Sequence, residues 1–344
     1  MPISMGDVIV VGGDVGGLAA ALAVARQRHR VKILQAHDSF VAPEAGVHLT
    51  PGALRALDLL GVGDDVRPRA VPVTGLRLLD GATGDPLTSV PTFADPVLAE
   101  SRWNTVVRGH DLLAPLRQAC WRNPLILTRP RSTVTRYEQN GGRVTAFLAT
   151  GERVHANALI GADGLCSPVR LQLTGDVDAV SHSTTFHTTF PLDEVPEVLV
   201  LRGVGRSVTV WAGPDWQLVH YPTGGGSLCL SVTLAGGEGR LVHGTPVEPA
   251  RVVAALSEAY APARELVSLG RDWRMWVSCR RAPLTSWRDR RVVLIGDAAW
   301  PSSMHAFPAS SKAVEDALHL GNLMDCDAAD FPQAFQAYAE HRDS

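Results

Sequence analysis

The stretch Val8-Ile9-Val10-Val11-Gly12-Gly13-Asp14-Val15-Gly16-Gly17-Leu18 decides how this chain is read. Four β-branched apolar residues make a short buried strand, and the alanine- and leucine-rich run from Leu18 to Arg28 has helical periodicity. Val31 to Leu34 then returns as a second strand. Strand, glycine turn, helix and strand together form the β-α-β opening of a Rossmann-type fold. Its glycines let a pyrophosphate approach the backbone, and its helix N-terminus offers unpaired amides and the positive end of a dipole.

Working outward, Thr50 to Leu60 reads as an amphipathic helix, and Val107 to Trp121 as another, with Asp111 as its cap. Alternating segments between Val134 and His155 flank Asn140-Gly141-Gly142 and predict a hairpin. Ala158 to Ile160 is a buried-type strand that ends in Gly161-Ala162-Asp163-Gly164. From about residue 183 to 235 the chain alternates like antiparallel strands, most clearly in Val208 to Ala212, Trp216 to Tyr221 and Ser227 to Leu234, which predicts a separate sheet. Val252 to Leu269 is mostly helical with a break near Pro262. Arg274 to Cys279 and Val292 to Ile295 are strands, and a helix runs from Lys312 to about Met324 beyond the loop Gly296 to Ser311.

At 344 residues the chain exceeds the size at which one core stops growing, so two intertwined domains are expected. A net charge of -3 provides no field for a polyanion, which argues against nucleic acid as a partner. The cysteines at 120, 166, 229, 279 and 326 are odd in number and show no CxxC spacing, so neither a disulfide framework nor a metal site is expected. Met1 to Asp7 lead into the first strand without a basic leader, and no apolar run approaches the roughly 18 residues of a membrane span. A soluble, cytoplasmic monomer or homodimer is the expectation, with short or missing C-terminal helices after Phe331 to His341.

Taken together, the glycine turn, Ala45-Gly46-Val47-His48-Leu49-Thr50-Pro51, Val107-Arg108-Gly109-His110-Asp111-Leu112, LIGADGLCSPVR from Leu159 to Arg170, Leu218-Val219-His220-Tyr221-Pro222, Trp273 to Val277 and RVVLIGDAA from Arg291 to Ala299 resemble the single-component flavoprotein aromatic hydroxylases. The nearest branch is that of 3-hydroxybenzoate 6-hydroxylase and salicylate hydroxylase. The resemblance implies an α/β, Rossmann-type, glutathione-reductase-like FAD-binding fold with an inserted antiparallel β-sheet substrate domain. It divides the chain into a discontinuous FAD-binding-like part (1-77, 98-180 and 284-344) and a sheet part (78-97 and 181-283). It also implies FAD held at Gly12, Gly17, Gln35, Arg108, Asp163, Gly164, Gly296 and Asp297, reduced by NAD(P)H and activating oxygen for a phenolic ring.

Several residues depart from that pattern. Asp14 stands where the family has the third glycine of the turn and is expected to cap the helix through its amides, filling the phosphate position. Gln35 replaces the family's acidic residue at the end of the second strand. Glu44-Ala45-Gly46-Val47-His48 replaces Gly-Ala-Gly-Ile-Gln. After Gly296-Asp297 the chain reads Trp300 to Ser311, with Pro308 lacking an amide donor and Phe307 and Trp300 adding bulk, so the flavin cradle is expected to be filled.

These departures favour an enzyme that has lost FAD and acts without a cofactor, by acid-base cyclisation, isomerisation, dehydration or hydrolysis of an aromatic or polyketide-like small molecule. Its candidate acids and bases are Asp14, Glu44, His48, His187, His220 and His305, because histidine titrates near neutrality. Tyr221, Trp211, Trp276, Trp300, Met304 and Phe307 are expected to line the pocket. Two alternatives stay open: a working FAD- and NAD(P)H-dependent aromatic hydroxylase, and a non-catalytic protein that binds a small ligand.

Overall fold

The computed structural model of the protein describes residues 5–37, 46–73, 75–91, 105–175, 180–201, 204–236, 242–280, 284, 286–300 and 309–343. The strand Val8 to Val11 is the centre of the dinucleotide half. Strands β1 (Asp7–Val11), β2 (Arg30–Leu34), β8 (Ile126–Arg129), β12 (Ala158–Gly161), β19 (Arg288–Asp289) and β20 (Val292–Leu294) form a six-stranded sheet in the order β19-β20-β12-β1-β2-β8. All neighbours are parallel except β19 and β20. A parallel strand buried on both faces must be apolar throughout, and Val8, Ile9 and Val10 are indeed fully buried.

The chain leaves β1 for β2 on one side, while β12 pairs on the other. The C-terminal end of β1 is therefore a topological switch point, where open α/β sheets carry their ligand crevice. The Val15–Arg26 helix starts there and packs through Leu18 to Ala25 against the sheet and against the Ala309–Leu323 helix. That second contact needs glycine, since a Cβ on Gly321 would lie 2.5 Å from Ala23 Cβ.

A three-stranded antiparallel sheet, β9 (Val134–Asn140), β10 (Arg143–Leu148) and β11 (Arg153–Ala156), covers the opposite face of the six-stranded sheet. The second large sheet has eight strands in the order β17-β18-β13-β16-β15-β14-β5-β6. These are β5 (Gly75–Asp80), β6 (Pro86–Pro91), β13 (Val180–Pro191), β14 (Val208–Ala212), β15 (Trp216–Thr223), β16 (Ser227–Ala235), β17 (Val242–Pro246) and β18 (Arg274–Arg280). Helices Pro249–Ala255 and Ala261–Ser268 pack on its back face with Phe186, Leu218, Leu230 and Val232. The helical break expected near Pro262 falls just before it, because proline is tolerated in a first turn and Pro262 opens the second helix. The front face meets a small sheet in which β7 (Thr105–Arg108) lies between β3 (Gly46–Leu49) and β4 (Val71–Pro72), with Val106, Val219, Tyr221 and Cys229 between them.

Two expected boundaries move. Residues 105 to 108 are a strand, so the helix runs Gly109–Arg122 with Arg108 as its backbone cap. Asp111 lies in that helix's first turn and accepts from Arg108 Nε at 2.7 Å instead of capping the amides. The helix expected from Lys312 begins at Ala309, and a further helix, Phe331–Asp343, follows it.

Candidate functional site

The crevice at the end of β1 is made of backbone. Gly12 has φ +103, and a Cβ there would come 2.1 Å from the carbonyl oxygen of Ala162. At Gly17 a Cβ would lie 2.2 Å from the Gly12 oxygen. Only glycine lets the turn fold this tightly against β12. The Gly13 amide donates to Gln35 Oε1 at 2.8 Å, so Gln35, at the end of β2, holds the turn from below.

Asp14 occupies the helix N-cap position by its backbone, but its carboxylate accepts no amide of the first turn. The expected capping is thereby corrected. The side chain is open to solvent at the crevice, where the surrounding protein pushes its pKa up and His37 partly opposes that rise. First-turn amides have no partner within their own helix, and here no described side chain takes them.

Among the described residues, the crevice walls leave room at two glycines. A Cβ on Gly164, at φ +77, would meet nothing within 4 Å, and one on Gly296, at φ +58, would meet only Ala313 Cβ at 3.6 Å. Asp163 Oδ1 accepts from the Ser167 hydroxyl, while its buried Oδ2 has no hydrogen-bond partner among the described residues. Burial pushes the Asp163 pKa up to about 6, against the opposing hydrogen bond from Ser167. An orphaned carboxylate oxygen and first-turn amides that no described side chain takes fit the hydroxyl and phosphate chemistry of a dinucleotide, so the described residues fit FAD. Arg170, 1% exposed, donates from Nη1 to the carbonyls of Ala298 and Ala299 at 3.1 and 2.9 Å and ties the β12 loop to the turn containing exposed Asp297. Arg108 is half exposed and reaches the β15–β16 turn, where a Cβ on Gly225 would lie 2.9 Å from Nη1.

The second part of the site is the seam between β3 and the front of the large sheet. His48 meets the ring of Tyr221 edge-on at 4.6 Å, and the Tyr221 hydroxyl donates to the Gly46 carbonyl at 3.4 Å. Gly46 permits this, since a Cβ would lie 2.7 Å from Tyr221 Cε2. Burial lowers the His48 pKa to about 3 and pushes that of Tyr221 well above the usual phenol range. Both are neutral near pH 7. Ser311, fully buried, donates to the His48 carbonyl at 2.8 Å and accepts the Thr50 amide at 2.9 Å, anchoring β3 to the Ala309–Leu323 helix.

His187 also faces front, edge-on to Trp276 at 5.0 Å. It stands two strands and two residues from Tyr221, on the order of 12 Å by ladder spacing. His48 and His187 are thus on the same side but not in contact. His220 and Trp211 are on the other side. Successive residues of a strand point to opposite faces, and His220, adjacent to Tyr221 on β15, points back with Thr209 and Trp211 of β14. The placement of His220 and Trp211 in the substrate pocket is corrected on that ground. Trp300 is 51% exposed and stacks on Trp287 at 6.1 Å with Lys312 over its ring, which takes it out of the pocket as well. Glu44, Met304, His305 and Phe307, and with them most of the loop expected to fill the cradle, lie outside the described residues.

Arg170 and Ser311 were missed in the sequence. A charged residue inside the apolar LIGADGLCSPVR run was a usable signal for the first, whereas Ser311 carries none.

The switch-point crevice and the sheet facing it define a dinucleotide-binding flavoprotein fold. The FAD binding domain family matches residues 5–324, and the chain belongs to that family. It is 34% identical to 3-hydroxybenzoate 6-hydroxylase 1 of Aquipseudomonas alcaligenes, over 93% of this chain and 82% of that protein. With 3-hydroxybenzoate 6-hydroxylase of Polaromonas naphthalenivorans it shares 31% identity over 97% and 83%. Among solved structures, HpxO of Klebsiella pneumoniae with FAD and uric acid matches at TM-score 0.82 and 20% identity, covering 98% of this chain and 84% of that one. A salicylate hydroxylase substrate complex matches at TM-score 0.79 and 18% identity, covering 98% and 85%. These findings overturn the expectation of a cofactor-independent enzyme without FAD: the whole-length relatives are named as hydroxylases, and the family is defined by FAD binding. No helix among the described residues is long and apolar enough to cross a membrane.

Proposed function

We propose that the protein is an FAD- and NAD(P)H-dependent hydroxylase of a small phenolic acid of the hydroxybenzoate class. The observation that carries the reading is the switch-point crevice, whose first-turn helix amides and Asp163 oxygen find no side-chain partner among the described residues, in a chain similar along its whole length to hydroxybenzoate hydroxylases. The amides of the Val15–Arg26 helix would hold the pyrophosphate, with Gln35 bracing the turn. Arg108, Asp163, Gly164, Gly296 and Asp297 would border the rest of the cofactor. FAD, when bound, supplies oxygen activation and accepts the electrons of NAD(P)H.

The chain's own residues position the ring. Tyr221, kept as a phenol by burial and donating its hydrogen to Gly46, supplies a hydroxyl oxygen that can accept from a substrate hydroxyl. His48, kept neutral, fixes the Tyr221 ring from the side. Val106, Val219 and Cys229 exclude water around them. His187 and Trp276 form a polar and aromatic wall further along the same face.

The test is to incubate the purified protein with FAD, remove the excess, and assay NADH oxidation with 3-hydroxybenzoate under isotopically labelled dioxygen. The expected result is stoichiometric bound flavin and a ring product that carries one labelled oxygen. Protein that retains no flavin would sink the reading. Bound flavin without labelled product from any hydroxybenzoate would sink the substrate class alone. Tyr221→Phe is expected to lower kcat/KM about tenfold, the loss of one hydrogen bond, with flavin content unchanged.

A further inference from the structure

We propose that a cavity behind the eight-stranded sheet, on the face opposite Tyr221, is a second small-molecule site, built for a small aromatic carboxylate. The cavity encloses about 140 Å³ between the sheet and the Ala261–Ser268 helix. That is close to the roughly 150 Å³ that admits a benzene ring in an engineered protein cavity. Leu79, Leu199, Val204 and Leu266 give it buried apolar walls. Trp211 and Tyr260, with rings 6.0 Å apart and inclined by 30°, add flat surface. Arg77, Gly84, Tyr260 and Pro262 are only partly buried, so the cavity opens to solvent on their side.

Its polar groups distinguish it from a packing defect. His220 is 1% exposed and lines the cavity, and neither ring nitrogen has a hydrogen-bond partner among the described residues. Trp211, 7% exposed, has an indole Nε1 in the same condition. A buried polar atom left unsatisfied costs about 1–3 kcal/mol, so an apolar guest would leave three such atoms uncompensated. Two of the three, one nitrogen of the neutral imidazole and the indole, are N–H donors, so the guest must bring oxygen acceptors.

Strand register sets Arg77, Thr209 and His220 in one row across β5, β14 and β15, which brings a guanidinium to the same space. Thr209 is already engaged with Ser207 at 3.2 Å. Burial, with a smaller effect of Arg77, lowers the His220 pKa to about 3, so the imidazole is neutral and offers one donor and one acceptor. One cation and two N–H donors around an aromatic-sized space match a flat carboxylate, and water can serve the remaining imidazole lone pair. The site uses no residue assigned above to the cofactor or to the substrate, and it stands whether or not that assignment does.

Crystals of the FAD-loaded protein soaked with 4-bromobenzoate test the proposal directly. The expected result is a bromine anomalous peak among Trp211, His220 and Leu266, whatever happens at Tyr221. In solution, fluorine NMR of 4-fluorobenzoate should show a class of sites that excess 3-hydroxybenzoate does not displace in the Tyr221→Phe protein. Arg77→Met, a change at a partly exposed position, should weaken that class about tenfold or more, as expected for a charged hydrogen bond, and Val204→Phe should abolish it by filling the space. Bromine at the front face only, no bromine at all, or a titration indifferent to Arg77→Met would each overturn the proposal and leave the cavity to water.

Discussion

The glycine turn after β1 and the strand β15 present a ligand with different kinds of surface. The turn presents main chain: Gly12, Gly13 and Gly17 are shaped by contacts to Ala162, Gln35 and one another, and the amides that no described side chain takes are those of the helix's first turn. β15 presents side chains whose direction alternates, so His220 and Tyr221, one residue apart, serve opposite faces of the sheet. A main-chain site survives a change of side chain as long as the new atoms point elsewhere, as Asp14 does. A side-chain site changes with each residue and with each step of register.

The sharpest way to break this contrast is at Gly12. Gly12→Ala meets a forbidden backbone conformation and a carbonyl oxygen at 2.1 Å, and is expected to cost about 3 kcal/mol or more while abolishing flavin retention. Urea unfolding and flavin absorbance check it, and an unchanged midpoint would show that the turn is not held by β12. On the sheet side, Gly46→Ala places a methyl 2.7 Å from both Tyr221 Cε2 and Val106 Cγ1. Overpacking of that kind costs about 1–3 kcal/mol. The expected signature is lost kcat/KM with flavin content retained, because the clash moves a side chain and leaves the crevice alone.

The same contrast explains what could be read from the sequence. Val8 to Val11, the glycine turn and the alternation after residue 183 sufficed for both halves of the fold, since parallel strands, tight turns and amphipathic strands each impose a composition. The opposed orientation of His220 and Tyr221 is also legible, because adjacent strand residues cannot share a face, although His220 is expected as an acid or base and Tyr221 as a pocket residue for one substrate. The direction of the Asp14 carboxylate was not legible. Residue type favours a cap there, yet the carboxylate takes no amide of the helix. Asp14 and Gln35 are poor grounds for FAD loss, because the Asp14 carboxylate takes none of the first-turn amides and Gln35 supports the Gly13 amide. The stacking of Trp300 on Trp287 and the anchoring of His48 by Ser311 depend on residues hundreds of positions apart or on helix placement, for which no local pattern exists.

Asp163 gives a smaller effect with a distinct pH signature. Its folded pKa, about 6, lies above the ordinary 3.8. Its contribution to stability is therefore fully present below pH 3.8 and is lost as pH rises through 6, where a buried carboxylate must ionise. Asp163→Asn cannot ionise, so without flavin its melting temperature should gain on the native protein across that window and hold the gain above it. A pH-independent difference would show that Asp163 ionises as freely as in the unfolded chain.

The smallest effect is expected at Asp14, and its direction separates two roles. If the carboxylate capped the Val15–Arg26 helix, Asp14→Ala would lower stability by about 1 kcal/mol. Because it accepts no amide, melting in the absence of flavin should be unchanged. A carboxylate open to solvent near a bound pyrophosphate repels it by about 1 kcal/mol through water, so the variant should hold FAD about fivefold more tightly at low salt. The Debye length falls from about 30 Å at 0.01 M to about 3 Å at 1 M salt, so that advantage should shrink as salt is added. Flavin fluorescence titrations across a salt series read both quantities. A lower melting temperature with no change in FAD affinity would reassign Asp14 to the helix, and the turn would then depend on side chains as β15 does.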